Sequence, residues 1–560
     1  MKNLIKYSAV AALLCVAAIL FTACLKDLDK FPVNDKTKVD VYRDVEGYKM
    51  AFAKIYGAMT LTGNTGPAGS ADIAGLDEGK YADFLRCFFN HQELPTDEAH
   101  CIWTDEGIPE MNNLDFISTN PFTVGLYSKS LLQIMYANDF MRNCTDAELA
   151  AKNFTDAEKK EIAYFSAEAR YIRAFQYWVL MDVFGNPPFI TENDNLGIMP
   201  DQISRSELFN YIESELMDLG DGGKLKMPKA NEYGRVDQAA AWALLARMYL
   251  NANVYKSPVG SPGDDVQYYT KAITYANKVI NSGYSLRPGR YEDLFLNDND
   301  KNNPEIIYSI NYDGLHTKNY GGMTFLINCS SNGEYQADTG VNSYHTTLLH
   351  YGLFDNATWA GYRFRGDFTD KFDAADKRAL FVGKEQWIGD NPTRYTYGKA
   401  GYKYRNIPST LTLAECDTIL KRGDKFGNDP VGGYADNDYP LFRLAEMYLI
   451  YAEAVKRGGS GGDEATAIGY LNLLRDRAKL QPVSSYDLDY ILDERGRELY
   501  WECQRRTDLV RYNRFTTDAY LWEWKGGVKE GKAVDAHYNI YPLPATDVSA
   551  NTNLDQNPGY

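Results

Sequence analysis

One six-residue pattern occurs twice in this chain, and each copy is followed by the same kind of partner. Leu245-Ala246-Arg247-Met248-Tyr249-Leu250 matches Leu444-Ala445-Glu446-Met447-Tyr448-Leu449. After a loop comes an Ala/Tyr/Leu stretch, Ala272-Ile273-Thr274-Tyr275 in one place and Ala467-Ile468-Gly469-Tyr470 in the other. Small residues at crossing points let two helix backbones pack closely, which is the logic of tetratricopeptide pairs with a period of about 34 residues. The two copies are degenerate and far apart. They predict a helical scaffold with large insertions, not a regular solenoid.

The rest of the helical pattern agrees. Ala163, Ala167, Tyr171, Ala174, Tyr177 and Trp178 recur near helical spacing, predicting a helix over 157–184 that Gly185-Asn186-Pro187-Pro188 stops. Ser204-Arg205-Ser206-Glu207 has the form of a capping box and opens a second helix to about Leu219. Further helices are predicted over 237–252 and over 266–281, the latter ended by Gly283. A last block over 488–513 carries Asp493-Glu494-Arg495-Gly496-Arg497-Glu498, whose charges are expected to pair and lock it into the body. Between these blocks, 286–438 is rich in Gly, Asn, Asp, Tyr and Thr, with short β-like runs at Ile306–Ile310 and Thr324–Ile327. The predicted fold class is mainly α, with helix pairs as scaffold and this irregular, short-strand insertion as the place for a ligand site. The chain divides into a targeting segment (1–23), a helical region (24–285) and a region with the insertion and final helices (286–560).

The N-terminus is read as an export signal. Lys2 and Lys6 precede an apolar run from Ala9 to Leu20, which is too short to span a bilayer stably. Phe21-Thr22-Ala23-Cys24 follows, with small residues before a Cys in the manner of a bacterial lipobox. Cleavage before Cys24 and acylation of its thiol are expected, with acyl chains as the only anchor. Lys26-Asp27-Leu28-Asp29 behind it resembles a surface-export signal of outer-membrane lipoproteins.

The formal charge of −17 disfavours nucleic acid or an acidic lipid surface as partner. Cys87, Cys101, Cys144, Cys329, Cys416 and Cys503 are scattered without C-x-x-C spacing, so buried thiols or at most one or two disulfides are expected. The 43 tyrosines offer apolar faces with polar tips, which suits wet ligands such as sugars as well as helix seams. No motif selects a pair of catalytic carboxylates. Gly458-Gly459-Ser460-Gly461-Gly462 fits G-x-S-x-G only formally, since it follows a helix and a nucleophile elbow follows a strand. The six His show no metal spacing, and there is no P-loop or dinucleotide fingerprint.

Several stretches together resemble the SusD/RagB lipoproteins. They are Ala169-Arg170-Tyr171-Ile172-Arg173-Ala174, Gly234-Arg235-Val236, Phe442 to Leu449, Arg497-Glu498-Leu499-Tyr500-Trp501-Glu502, Arg506-Thr507-Asp508-Leu509-Val510-Arg511 and the ending Gln556-Asn557-Pro558-Gly559-Tyr560. Glu93-Leu94-Pro95-Thr96-Asp97-Glu98, Asn319-Tyr320-Gly321-Gly322 and Tyr520-Leu521-Trp522-Glu523-Trp524-Lys525-Gly526-Gly527 bring the chain nearest to the starch-binding branch of that family. The resemblance implies a non-catalytic lipoprotein on the outer membrane, facing the cell surface. It would capture starch or malto-oligosaccharides and pass them to a SusC-like TonB-dependent transporter. A non-starch glycan or a peptide on the same architecture is the alternative, and a glycoside hydrolase a more distant one.

The resemblance also nominates residues. Sugar rings present C–H faces to aromatic planes and a hydroxyl rim to polar groups. Tyr320 matches a stacking tyrosine, and Tyr344 falls where the family has a stacking tryptophan. In Ala99-His100-Cys101-Ile102-Trp103, Trp103 matches the second of two tryptophans while Cys101 stands at the stacking one; a shifted gap would let Trp103 stack. Asp77 and Arg86 match polar readers, and Asp105 lies near an amide position. Asp298-Asn299-Asp300-Lys301-Asn302 places oxygen ligands at alternate positions, like the start of a calcium loop, but lacks the Gly and distal Glu of an EF-hand. Asp436-Asn437-Asp438 is a second oxygen-rich turn. The resemblance brings both turns around a structural Ca²⁺, with Asp300, Asp436 and Asp438 as ligands.

Overall fold

The computed structural model describes residues 38–63, 66–67, 70–331, 351–353, 359–382 and 398–560. The targeting segment with Cys24, and Tyr344, lie outside the described residues.

Most of the long helices begin where the chain offers a side-chain cap, which satisfies N–H groups that helix geometry leaves without partners. α1 (Val45–Thr60) follows Asp44, α2 (Phe84–Glu93) follows Asp83, and α3 (Pro121–Arg142) follows Asn120. α4 (Asp156–Phe184) has a full capping box, Thr155 with Glu158, and stops at Gly185 with φ 74°. α5 (Arg205–Gly220) is capped by the expected Ser204, α6 (Gln238–Leu250) by Asp237 and α7 (Val266–Ile280) by Asp265. Gly283, at φ 94°, turns the chain just beyond α7. Later come α8 (Gly322–Ser330), α9 (Leu444–Lys456), α10 (Glu464–Arg477), α11 (Leu488–Leu499) and α12 (Arg505–Arg511).

The two recurring blocks form the expected pairs. α6 packs on α7, α9 packs on α10, and α7 packs on α9 to join them. Upstream, α3 packs on α4, α4 on α5 and α5 on α6. Ala239, Ala240, Ala243 and Ala246 of α6 and Ala272 and Ala276 of α7 are completely buried, so the backbones meet across small side chains. One hydrophobic core runs from Tyr42 to Leu554. Among the described residues no helix is long and apolar enough to cross a membrane.

The strands are short and pair antiparallel in twos: β1 (His100–Cys101) with β3 (Tyr362–Arg363), β2 (Ile306–Ile310) with β6 (Tyr439–Arg443), and β4 (Phe381–Val382) with β5 (Ala400–Gly401). β2 is the expected strand. Thr324–Ile327, expected as β-like, lies instead inside α8. A short apolar run does not distinguish the two states. Every residue from Gly322 to Ser330 is buried, and a helix satisfies its own backbone there without a partner strand.

The last block is not one helix over 488–513. It breaks after α11 because backbone groups there serve buried side chains. Trp501 and Cys503 both sit at φ 58°. Trp501 N donates to Glu98 Oε2 at 3.0 Å, and Gln504 N to Glu93 Oε1 at 3.2 Å. Its charges do lock the helix in, although most reach other elements. Arg497 pairs with Glu494 at 2.7 Å within α11. Glu494 also takes Arg378 at 2.7 Å, Glu498 takes Arg443 at 2.6 Å, and Arg495 reaches Asp508 at 2.7 Å. The six cysteines are all free thiols, five of them buried. Ser460 lies in the turn between α9 and α10, where its N donates to Thr270 Oγ1 at 2.9 Å.

Candidate functional site

Three of the nominated residues meet around Gly79. The carboxylate of Asp83 caps α2 by accepting from Arg86 N at 2.7 Å. Arg86, in that first turn, reaches back to donate from Nη1 to the Gly79 carbonyl at 2.7 Å. Its guanidinium lies 4.2 Å from the Phe325 ring centroid. A Cβ on Gly79 would meet Asp77 Oδ1 at 3.7 Å and Tyr320 Cβ at 3.8 Å. Arg86 is 5% exposed, so it holds the loop from beneath, while Asp77 is exposed at the rim.

Tyr320 is aimed by the glycines behind it. Asn319 Oδ1 accepts from Gly321 N at 2.6 Å, and its amide donates to the Thr60 carbonyl at the end of α1. A Cβ on Gly321 would lie 2.3 Å from the Asp83 carboxyl carbon. Gly322 has φ 54°, and a Cβ there would lie 2.4 Å from the Tyr312 ring. Only glycines let the turn sit this deep between α2 and Tyr312. The turn starts α8 and leaves Tyr320 half-buried at the surface.

Tyr320 has two half-buried aromatic neighbours. Tyr434 lies at 5.7 Å between centroids with planes tilted 43°, and Trp359 at 6.4 Å with a tilt of 55°. Trp359 continues to buried Phe325 at 6.3 Å, and Phe325 to Trp103 at 6.3 Å. Trp103 is half-buried, edge-on to Tyr362 at 5.6 Å and laid against Gly361, where a Cβ would lie 2.1 Å from the indole. Cys101 is buried in β1 and presents nothing to solvent. Asp105 pairs with Lys80 at 2.8 Å, and this hydrogen bond raises the Lys80 ammonium against partial burial. Burial raises the Glu78 carboxyl, which accepts from the Thr62 hydroxyl. Burial and the neighbouring Tyr320 phenol raise the Tyr434 phenol. The surface therefore offers tilted aromatic planes flanked by Asp77 and Asp105. Trp359 and Tyr434 were not singled out from sequence. A lone Trp, and a Tyr beside a turn read for its oxygens, carry no local sign of which ring they face.

Asp300, Asp436 and Asp438 line one cavity of ≈ 720 Å³. Asp436 accepts from Gly314 N at 3.1 Å and Asn428 N at 2.9 Å. Asp438 accepts from Tyr312 N and from the Tyr233 hydroxyl, both at 2.8 Å. Burial, with Asp300 and Asp436 nearby, pushes the Asp438 carboxyl up to about 7. Among the described residues no three His, Cys, Asp or Glu side chains form a set that could hold a metal ion. Oxygen donors of this kind suit a hard divalent cation only where backbone or amide oxygens complete its shell.

Comparison with known proteins fixes the family. Residues 304–560 match a family model described as "SusD family", and residues 109–250 match one described as "Starch-binding associating with outer membrane". The chain is 35% identical to the starch-binding protein SusD of Bacteroides thetaiotaomicron, over 98% of each chain. The chain belongs to the SusD family. Surface glycan-binding protein A from Bacteroides thetaiotaomicron shares the fold with a TM-score of 0.67 and 21% identity, over 92% of this chain and 100% of that one. Its complex with laminarihexaose matches with a TM-score of 0.65 and 20% identity, over 91% and 99%. This SusD-family chain thus stands among glycan-binding proteins of a family associated with the outer membrane. Apart from Asn319-Tyr320-Gly321-Gly322, its motifs hold the fold and do not line the aromatic surface. Buried Arg443 bonds Glu305, Glu498 and Glu502. Arg511 bonds Glu453, and Asn557 donates to the carbonyls of Phe184 and Tyr541. Tyr520 donates to Asp97 at 2.6 Å, tying two of the motifs together.

Proposed function

We propose that this chain is a non-catalytic surface lipoprotein, anchored through Cys24, that captures starch or malto-oligosaccharides and hands them to a SusC-like TonB-dependent transporter. The observation that carries the reading is the tilt of 43° and 55° between successive half-buried rings, Tyr434, Tyr320 and Trp359. Tilted planes follow a curved glycan, whereas an extended chain would touch one ring at a time. Trp103, Asp77 and Asp105 flank that surface, Arg86 positions its loop, and Tyr344 belongs to the proposal by family position alone. Ca²⁺ at Asp300, Asp436 and Asp438 would brace the segment that leads to Tyr434. A curved β-glucan is the second reading, because a protein of the same fold is seen in complex with laminarihexaose.

Affinity electrophoresis and calorimetry with maltoheptaose, laminarihexaose and cellohexaose test both readings. Maltoheptaose is expected to bind, and Tyr320→Ala to weaken it about tenfold or more with an unchanged melting temperature. Binding of laminarihexaose alone selects the second reading. Release of reducing ends by the purified protein would make it a hydrolase instead.

A further inference from the structure

Among the described residues, Tyr233 is the one aromatic side chain that stands exposed, at 45%, while every other described Phe, Tyr and Trp is buried or half-buried. It is exposed and yet pinned. Its hydroxyl donates to Asp438 Oδ2 at 2.8 Å and accepts from Ser309 Oγ at 3.4 Å, so the tip of the side chain is already engaged. The loop that carries it is tied down on both sides. Asn231 Nδ2 donates to Glu168 Oε1 at 3.1 Å and to the Val236 carbonyl at 2.8 Å, and Arg235 Nε donates to Glu168 Oε2 at 3.1 Å. Gly234 has φ 79° and lies so close to Asn311 that a Cβ would stand 2.3 Å from the amide nitrogen. Only glycine fits that position, and it fixes the ring beside it.

Three cavities meet at Tyr233, of ≈ 290, ≈ 190 and ≈ 720 Å³. A tyrosine serving packing alone would be covered, as Tyr308 in the first two cavities is at 2% exposed. The lining selects among ligands. The amides of Asn231, Asn303, Asn311 and Asn428 stand around the ring, and an apolar partner surface would take them out of water at a cost for each one left unpaired. An anion would face Glu232, Asp237, Asp300, Asp436 and Asp438. A metal ion uses oxygens and has no use for the ring. A neutral ligand with an apolar face and a hydroxyl rim suits both the ring and its surroundings, and that is the chemistry of a sugar.

We propose that Tyr233 is the stacking platform of a second glycan patch, separate from the Tyr320 arc and taking neutral oligosaccharide of the same class. This rests on the glycan-binding reading above and extends it. One segment joins the two patches. Asn311 lines two of the cavities at Tyr233, and the chain runs on to Asn319, whose amide donates to the Thr60 carbonyl beside Tyr320. Thr60 itself lines the first cavity. A short oligosaccharide gains from either patch alone, whereas a polysaccharide that engages both gains from effective concentration. The second patch therefore strengthens retention of polymer more than affinity for a short ligand.

The test is affinity electrophoresis of the full chain through amylopectin or laminarin, whichever retards the wild type, beside calorimetry with the matching maltoheptaose or laminarihexaose. Tyr233→Ala is expected to weaken the polysaccharide affinity about three- to tenfold. Its affinity for the short oligosaccharide should stay within about twofold of the wild type, because the Tyr320 arc is untouched. Tyr233→Phe keeps the ring and gives up the bond to Asp438, and is expected to be retarded like the wild type. Wild-type retardation of Tyr233→Ala would overturn the proposal. So would Tyr233→Phe as weak as Tyr233→Ala, which would assign the loss to the Asp438 bond and not to the ring. Equal losses for polysaccharide and oligosaccharide would place Tyr233 in a single site or in the fold, and would overturn it too. If Tyr233→Ala is retarded like the wild type while Tyr320→Ala is not retarded, the glycan-binding reading stands without a second patch. A wild type retarded by neither polysaccharide overturns both.

Discussion

At Gly321 a carboxylate occupies the space of the missing side chain. The contact is with Asp83, which is buried and already committed to capping α2. Neither partner has room to yield, so Gly321→Ala is expected to cost about 1–3 kcal/mol in urea unfolding and to weaken glycan binding by displacing Tyr320. Gly79 provides the contrast. A Cβ there meets atoms at 3.7 and 3.8 Å, ordinary contact distances. Gly79→Ala should leave stability within about 0.5 kcal/mol. A large loss at Gly79, or none at Gly321, would show that the Tyr320 turn is not packed as described. A sequence pattern marks both glycines alike, and only their neighbours separate them.

At the scale of elements, the junction between α2 and the α11–α12 break is governed by buried charge. Burial pushes the Glu93 carboxyl up to about 7, and burial with Glu93 nearby raises the Glu98 carboxyl. Two neighbouring buried carboxyls hold a proton that the unfolded chain, with glutamates ionising near about 4.3, releases earlier. The stability this pair contributes is therefore full at lower pH and lost as pH rises through about 7. Asp97, Glu453 and Glu494 behave oppositely. Burial alone would raise them, but Arg505, Arg511 and Arg378 outweigh it and hold each at about 2. Their contribution is present above the unfolded carboxylate range and lost as pH falls toward 2. Unfolding free energy should thus peak in mild acid and decline toward pH 7.5. Glu98→Gln, which carries no charge and can still accept from Trp501, should flatten that decline. An unchanged slope in urea titrations between pH 5 and 7.5 would remove the pair from the explanation.

For the whole molecule, the change in composition near residue 285 does not mark a gap in the core. Buried ion pairs cross it. Arg247 meets Glu446 at 2.7 Å, Arg505 meets Asp97 at 2.7 Å and Arg506 meets Asp182 at 2.9 Å. Removing one partner of such a pair leaves an uncompensated buried charge, at a cost of about 3–5 kcal/mol each time. Fragments 38–285 and 286–560 made separately are expected to lack a cooperative thermal transition by circular dichroism, and to regain it, if at all, only when mixed. Sharp melting of either fragment alone would show two independent cores. The same connectivity runs through the motifs that carry the family resemblance. Arg443, Arg506 and Arg511 hold segments far apart in sequence, so they report the fold and say little about the ligand.

The sequence by itself determined the helix pairs and where α4 to α7 start and stop, because caps and glycine turns act over four or five neighbouring residues. Ser204 and Gly283 needed no tertiary information to be read. It also determined the family, through motifs most of which turn out to be interior locks. The tertiary structure decided what local pattern leaves open. Thr324–Ile327 became a helix because it is buried on all sides, and 488–513 broke because Glu93 and Glu98 take backbone N–H groups at the break. Arg86 went beneath the Gly79 loop, while Asp77 stayed at the rim. The ring neighbours of Tyr320 come from segments far along the chain, held there by Asp429, Lys318 and the Asn328 carbonyl that accepts from Trp359 N. A curved surface depends on the angles between such rings, and packing sets those angles.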